Sequence, residues 1–197
     1  GAGEDAWGGV VLGLDVPGAG APALVERLQG FVGGRSSENV LGGEVDFWDD
    51  YHREEIIQGD LGPDALAVYQ QSTAVLKMGQ VREPGPGFGQ LLASLPPGGW
   101  NISWPRDAAY GIVGLVKSGH LTEARDALSF MINGQAGEYA DLLGVTDYLI
   151  SACRYYGDGT EESDLAFCED GRDAGPNVEL DDFGLFLWAY GEYMDAS

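Results

Sequence analysis

The sequence predicts an all-α fold, a toroid of helical hairpins with a short β-rich segment ahead of it. Three observations carry that reading. From Pro63 onward, apolar residues recur at 3.6-residue spacing in successive segments. Segments carry their own punctuation, with Pro63-Asp64, Pro105 and Thr122 at starts and Gly119 and Gly134 at stops. The connections alternate: the one after residue 118 is short, whereas 81–103 and 157–178 are long and both lead into a helix. That alternation crowds the long loops onto one face of a ring of hairpins, and long loops inside a compact domain usually carry function.

Taken in order, Val10-Val11-Leu12-Gly13-Leu14-Asp15-Val16 reads as a strand bounded by Gly8-Gly9 and Pro17-Gly18. Residues 22–31 read as a short helix stopped by Gly33-Gly34. Residues 35–62 are a polar connector with a short helix over 47–57, marked by Phe47, Trp48 and Tyr51. The first helix of the array opens at Pro63-Asp64, and Ala65, Val68, Ser72, Val75 and Gly79 share the face expected to turn inward. Pro84-Gly85-Pro86-Gly87 and Pro96-Pro97-Gly98-Gly99 punctuate the loop that follows. The second helix spans 106–118, with Ala109, Ile112, Val113 and Val116 inward and Gly119 as its stop. Thr122 is the expected cap of the third helix, with Ala124, Leu128 and Met131 inward and Gly134 and Gly137 at its end. The fourth spans 143–155 on Val145, Leu149 and Ala152. The fifth spans 179–194 on Leu180, Phe183, Leu187, Tyr190 and Met194.

Composition narrows the function. The 197 residues are 44% hydrophobic and 11% aromatic, which excludes a disordered chain. The formal net charge of −22 argues against nucleic acid, whose phosphates need clustered Lys and Arg, and against anionic membrane surfaces. Neutral sugars stay compatible with it. The chain begins at Gly1, with no basic leader and no apolar run of membrane-spanning length, so a processed form or a fragment is expected. Cys153 and Cys168 flank an acidic, turn-rich loop. A disulfide closing it would stabilise by roughly 3 kcal/mol and imply an oxidising compartment, extracellular or periplasmic; the alternative is two buried thiols. No Cys-x-x-Cys is present to support a redox or zinc role.

The chemistry concentrates in Trp100-Asn101-Ile102-Ser103-Trp104-Pro105-Arg106-Asp107. Two indoles offer flat apolar faces for a pyranose ring. Arg106 offers a planar fork of donors, and Asp107 is acceptor-only when ionised, so the pair can bracket neighbouring sugar hydroxyls. The plainer reading is a helix start, with Pro105 in the first turn, Asp107 beside the dipole and Arg106 in an ion pair. Residues 158–173 hold seven acids and one base, enough oxygens for Ca²⁺, but the EF-hand pattern is absent and such runs usually face water. His52 and His120 lack ligand spacing and read as surface or helix-end residues, and Lys77 has no phosphate-binding glycine motif beside it. No metal and no cofactor is expected.

Gln90-Leu91-Leu92-Ala93-Ser94-Leu95-Pro96, followed by Trp100 and Trp104-Pro105-Arg106-Asp107-Ala108-Ala109-Tyr110, resembles the signature of the glucoamylase-type family-15 glycoside hydrolases, a group of glucoamylases, glucodextranases and some trehalases. Three further segments extend the resemblance: Tyr69 to Lys77, Ser118-Gly119-His120-Leu121-Thr122-Glu123-Ala124-Arg125, and Gly175-Pro176-Asn177-Val178-Glu179-Leu180-Asp181-Asp182-Phe183-Gly184-Leu185. The order and spacing of these segments are more specific than any one of them. The resemblance implies an (α/α)6 barrel, of which this chain holds about the first five helices (63–197), preceded by the tail of a β-sandwich (1–34) and the connector 35–62. It implies inverting release of glucose from the ends of oligosaccharides or polysaccharides, the terminal glucose held by Arg106 and Asp107 against Trp104, with Glu179 at the position of a usual Gln and Asp181 at the expected spacing.

Inversion needs a carboxylic acid on the leaving oxygen and a carboxylate about 6.5–9.5 Å away that activates water. The resemblance puts the acid in a Trp-Glu-Glu-like segment after the fifth helix and the base further downstream. No Trp-Glu pair occurs in this chain, so no catalytic residue is assigned; Glu161, Glu162 and Glu169 precede the fifth helix and read as a solvated loop. The isolated chain is expected to be inactive, unstable or oligomeric unless the rest of the barrel is supplied in cis or in trans. The alternatives are a glycan-binding or regulatory toroid without catalysis, and a purely structural helical array.

Overall fold

The computed structural model describes residues 20–134, 153–161, 165–167, 173–176 and 179–197. The strand expected at 10–16, most of the helix expected over 143–155, and Cys168 with its disulfide lie outside the described residues. The chain forms two compact units, Gly1–Arg53 and Glu54–Ser197.

In the first unit, α1 (Gly20–Val32) and α2 (Ser37–Arg53) are the described elements. The described part of the segment assigned to a β-rich tail is therefore helical. The connector is mostly helix too. Helix α2 starts well before Phe47 because the Ser36 hydroxyl accepts from the Asn39 amide at 3.2 Å, an N-cap at the turn that follows Gly33-Gly34. It stops at Arg53 rather than running on to 57.

The second unit is built around α4 (Pro105–Ser118), which packs on α3 (Pro63–Met78), α5 (Leu121–Asn133) and α6 (Asp181–Ala196). Ala109, Ile112 and Leu115 are fully buried, and Ala124 and Ala189 meet them from α5 and α6. Alanine at these contacts lets the axes approach closely while Ile112 and Leu115 fill the space between. Leu115→Ala is expected to cost about 2–5 kcal/mol, because a fully buried methyl cluster is removed from the junction of four helices. Urea unfolding of the variant reads this directly, and a loss under about 1 kcal/mol would mean that the junction collapses around the hole.

The turn between α4 and α5 follows from one glycine. Gly119 sits at φ +92°, and the His120 and Gly119 amides donate to the Leu115 and Val116 carbonyls at 2.9 and 3.1 Å. This is the Schellman closure that a left-handed residue permits. Helix α5 then begins at Leu121 with His120 at its N-cap, two residues before the expected Thr122 cap.

Two helices turn the opposite face to the one expected. On α3, Val68 and Val75 are exposed, while Leu66, Tyr69 and Leu76 are half-buried and Thr73 is buried. On α6, Leu180, Phe183, Leu187, Tyr190 and Met194 are all exposed; Ala189 is buried, and Leu185, Phe186 and Tyr193 pack on the core. Each helix carries two apolar stripes, and the core selected the one whose small or flat members fit against α4.

The loop between α3 and α4 is tied down by backbone. Gln80 and Leu91 form an antiparallel bridge, and Ala93 donates to Ile102 at 2.9 Å. Two buried glutamines fasten it to its surroundings: the Gln80 amide donates to the Gly89 and Glu123 carbonyls, and the Gln90 amide to the Tyr156 carbonyl at 2.7 Å. Gly89 lies at φ +91°, where an added Cβ would stand 2.2 Å from the Asp126 carbonyl oxygen. At Gly87 it would stand 2.0 Å from the Gly157 carbonyl oxygen. Ser103 and Tyr155 exchange backbone bonds at 3.1 and 2.8 Å, so Cys153 to Tyr155 lead into a β-bridge and are not the end of a helix as expected. Further along, β1 (Leu165–Phe167) and β2 (Asp173–Pro176) pair antiparallel.

Candidate functional site

The site forms where the N-termini of α4 and α6 meet. Ser103, held in its bridge, delivers Trp104 to the N-cap of α4, and Pro105 takes the first helical position, where its missing N–H costs nothing. Arg106 follows, a cation at the positive end of a helix dipole. The first turn of α6 compensates. Arg106 Nε and Nη2 donate to the two carboxylate oxygens of Asp181 at 2.7 and 3.0 Å, a two-pronged pairing. Nη2 also lies 2.6 Å from Glu179 Oε2. The hydrogen bond from Arg106 holds the Asp181 carboxyl below the usual range, and the guanidinium is raised in return by that same bond and by its acidic neighbours. Glu179, Asp181 and Asp182 cluster within 4.8 Å of one another, and Asp182 is buried.

Glu179 is held from the other side by sulfur. The Cys153 thiol donates to Glu179 Oε1 at 3.3 Å. Burial first, then the hydrogen bond and charge of Glu179, push the thiol up to about 12. It therefore stays protonated at neutral pH and is a poor nucleophile. Stability tied to this protonated thiol is present at neutral pH and is lost as pH climbs above the ordinary thiol range, where the unfolded chain ionises and the folded one does not. Native Cys153 is expected to resist iodoacetamide at pH 8 and to label fully in urea, read by peptide mass mapping. Rapid native labelling would contradict the buried, hydrogen-bonded thiol.

Trp100 and Trp104 stand edge to face, 5.4 Å between centroids, and Arg154 lies over the Trp104 ring at 5.6 Å. Trp104 thus has one face filled by a cation, while Trp100 is 64% exposed. Ala93, Trp100, Trp104, Arg106, Asp107 and Glu179 line an open cleft of about 320 Å³. Two other clefts are slightly larger, about 390 and 380 Å³. The first has no ionisable lining residue and the second has only Tyr69 and Lys117, so size does not single out the cleft at Arg106 but its charged lining does.

Of the residues expected to bind substrate, Trp104, Arg106, Asp107 and Glu179 share this cleft, and Asp181 grips Arg106 at its edge. Trp100, one of the two indoles read from the sequence as a platform for a sugar ring, is the open aromatic face. Cys153, expected in a disulfide or as a buried thiol, steadies Glu179, a contact that nothing local in the sequence signals.

The other acidic and histidine readings resolve differently. Asp158 Oδ1 accepts from the Thr160 hydroxyl and amide at 2.6 and 3.0 Å, a local turn that lowers its carboxyl. Glu161 is buried beside the Tyr155 bridge and does not face water as expected, while Glu162 and Glu169 lie outside the described residues. His120 is a helix-end residue, but buried, with Nε2 3.6 Å from Glu55. Lys77 pairs with Glu123 at 2.5 Å. Among the described residues no helix is long and apolar enough to cross a membrane. Comparison with protein-family models, curated proteins and solved structures finds no match.

Proposed function

We propose that this chain is the sugar-holding part of a glucoamylase-type glycoside hydrolase that removes the terminal residue of an α-glucoside with inversion. The observation that supports this reading is convergence. Trp104, Arg106 and Asp107 on one segment and Glu179 on another, more than seventy residues later, line one cleft, with Asp181 locked to Arg106. A plain helix start does not need the second segment. In that cleft the Trp100 face supports the ring, Asp107 accepts from hydroxyls, and Arg106 Nη1, which makes no bond among the described residues, donates to them. Glu179 and Asp181 hold the guanidinium plane.

The test is the product of the complete open reading frame on maltotetraose, followed by proton NMR. Initial release of β-glucose supports the hydrolase. Release of α-glucose overturns the inverting mechanism. Saturable binding without hydrolysis moves the reading to a glycan-binding toroid, and no binding at all sinks both.

A further inference from the structure

Two walls of the cleft are held from one short stretch of chain. The N-cap position sets the backbone of Trp104 at φ −110° and ψ 128°, and leaves the plane of its ring to its neighbours. Trp100 meets that ring edge to face but is itself 64% exposed, so it gives little support. The other neighbour is Arg154, whose guanidinium lies 5.6 Å from the ring centroid. A cation over an indole face favours one orientation of the ring as well as adding attraction. Next to it in the chain, Cys153 donates to Glu179 Oε1 at 3.3 Å, and Glu179 Oε2 lies 2.6 Å from Arg106 Nη2. The stretch is itself fixed from behind. Tyr155 exchanges backbone bonds with Ser103, its ring packs edge to face on Phe130 of α5 at 5.3 Å, and the Tyr156 carbonyl accepts from Gln90 at 2.7 Å. Cys153 and Tyr155 are both buried.

We infer that Cys153 and Arg154 are positioning residues of the cleft: Arg154 holds the Trp104 indole and Cys153 holds the Glu179–Arg106 pair, so the aromatic wall and the guanidinium donors keep one spacing. Neither residue lines the cleft. They act through groups that do, and they come from a segment about fifty residues after one of those groups and twenty-five before the other. This rests on the saccharide reading above and adds to it the residues that set sugar affinity from outside the cleft.

The product of the complete open reading frame, unmodified and as variants, is titrated with glucose by calorimetry. Arg154→Met keeps an aliphatic stem and removes the cation, and is expected to weaken binding about fivefold, the size of one partly shielded cation–π contact. Arg154→Lys keeps the charge without the flat fork and should return to within about twofold of the unmodified protein. Cys153→Ala should weaken binding about threefold, and Cys153→Ser, which keeps a donor, should restore it. Each variant is melted alongside, and the cysteine pair serves if Arg154→Met fails to fold. A signal independent of sugar comes from fluorotryptophan labelling. The fluorine resonance assigned to Trp104 by its loss in Trp104→Phe should shift in Arg154→Met and move back in Arg154→Lys. An unshifted resonance, or unchanged glucose affinity in both Arg154→Met and Cys153→Ala, overturns the inference and leaves the saccharide site standing. Losses that Arg154→Lys and Cys153→Ser do not recover overturn it in favour of plain packing. If the unmodified protein binds no glucose, the saccharide reading falls and this inference falls with it.

Discussion

Arg106→Ala is expected to weaken sugar binding by about 10- to 100-fold, the range for losing charged hydrogen bonds at a binding site. The loss has two sources. The direct one is the donor set that faces the ligand. The indirect one is positional, because Glu179, Asp181 and Asp182 lie within 4.8 Å of one another and Arg106 is the cation that pairs with two of them. Without it, these carboxylates face one another with no cation between them, and the Asp181 carboxyl loses the hydrogen bond that holds it below its ordinary range. Arg106→Lys keeps the charge but not the fork, so it should recover folding more than binding. Calorimetry against the terminal sugar, paired with thermal melting, separates the two effects. Undiminished binding in Arg106→Ala would remove the cleft from consideration as the sugar site.

Gly89→Ala is expected to destabilise by about 2–4 kcal/mol, although the substitution adds one methyl group. The backbone at φ +91° is open to glycine and strained for alanine. The new methyl would also stand 2.2 Å from the Asp126 carbonyl oxygen and 2.6 Å from its carbon, groups of helix α5 that cannot rotate away. By contrast, Gly99→Ala in the same loop has nothing within 4 Å and should be close to neutral. Denaturant unfolding of both variants checks the contrast. Equal stabilities would mean that the loop shifts freely against α5.

Much of the fold was legible where local rules act alone. Pro105, Gly119 and Gly134 mark the ends of α4 and α5, and the Ile112/Val116 and Ala124/Leu128 spacing identifies their buried faces. The faces of α3 and α6 were not legible. Helix α6 is apolar almost all round, with Phe183, Leu187 and Met194 on one side and Leu185, Ala189 and Tyr193 on another. Periodicity finds both stripes and cannot rank them, because the choice depends on what α4 presents. The stretch 153–155 failed for the same kind of reason: the bridge at Tyr155 depends on Ser103, about fifty residues earlier. In the site, the spacing of Arg106, Asp107, Glu179 and Asp181 was legible as a motif, whereas their meeting depends on the packing of α4 on α6. Trp100 was visible beside them and Cys153 was not.

The glycine contacts at 87 and 89 have a consequence for how the cleft meets a ligand. A segment rich in Pro and Gly invites the image of a flap, yet here its main chain lies directly against the main chain of Asp126 and Gly157, and Ala93 on the cleft wall is bonded to Ile102. Its conformational entropy was surrendered when the chain folded. On the saccharide reading proposed above, a ligand at this cleft would order itself against a wall already fixed by folding, and discrimination would rest on shape and charge complementarity.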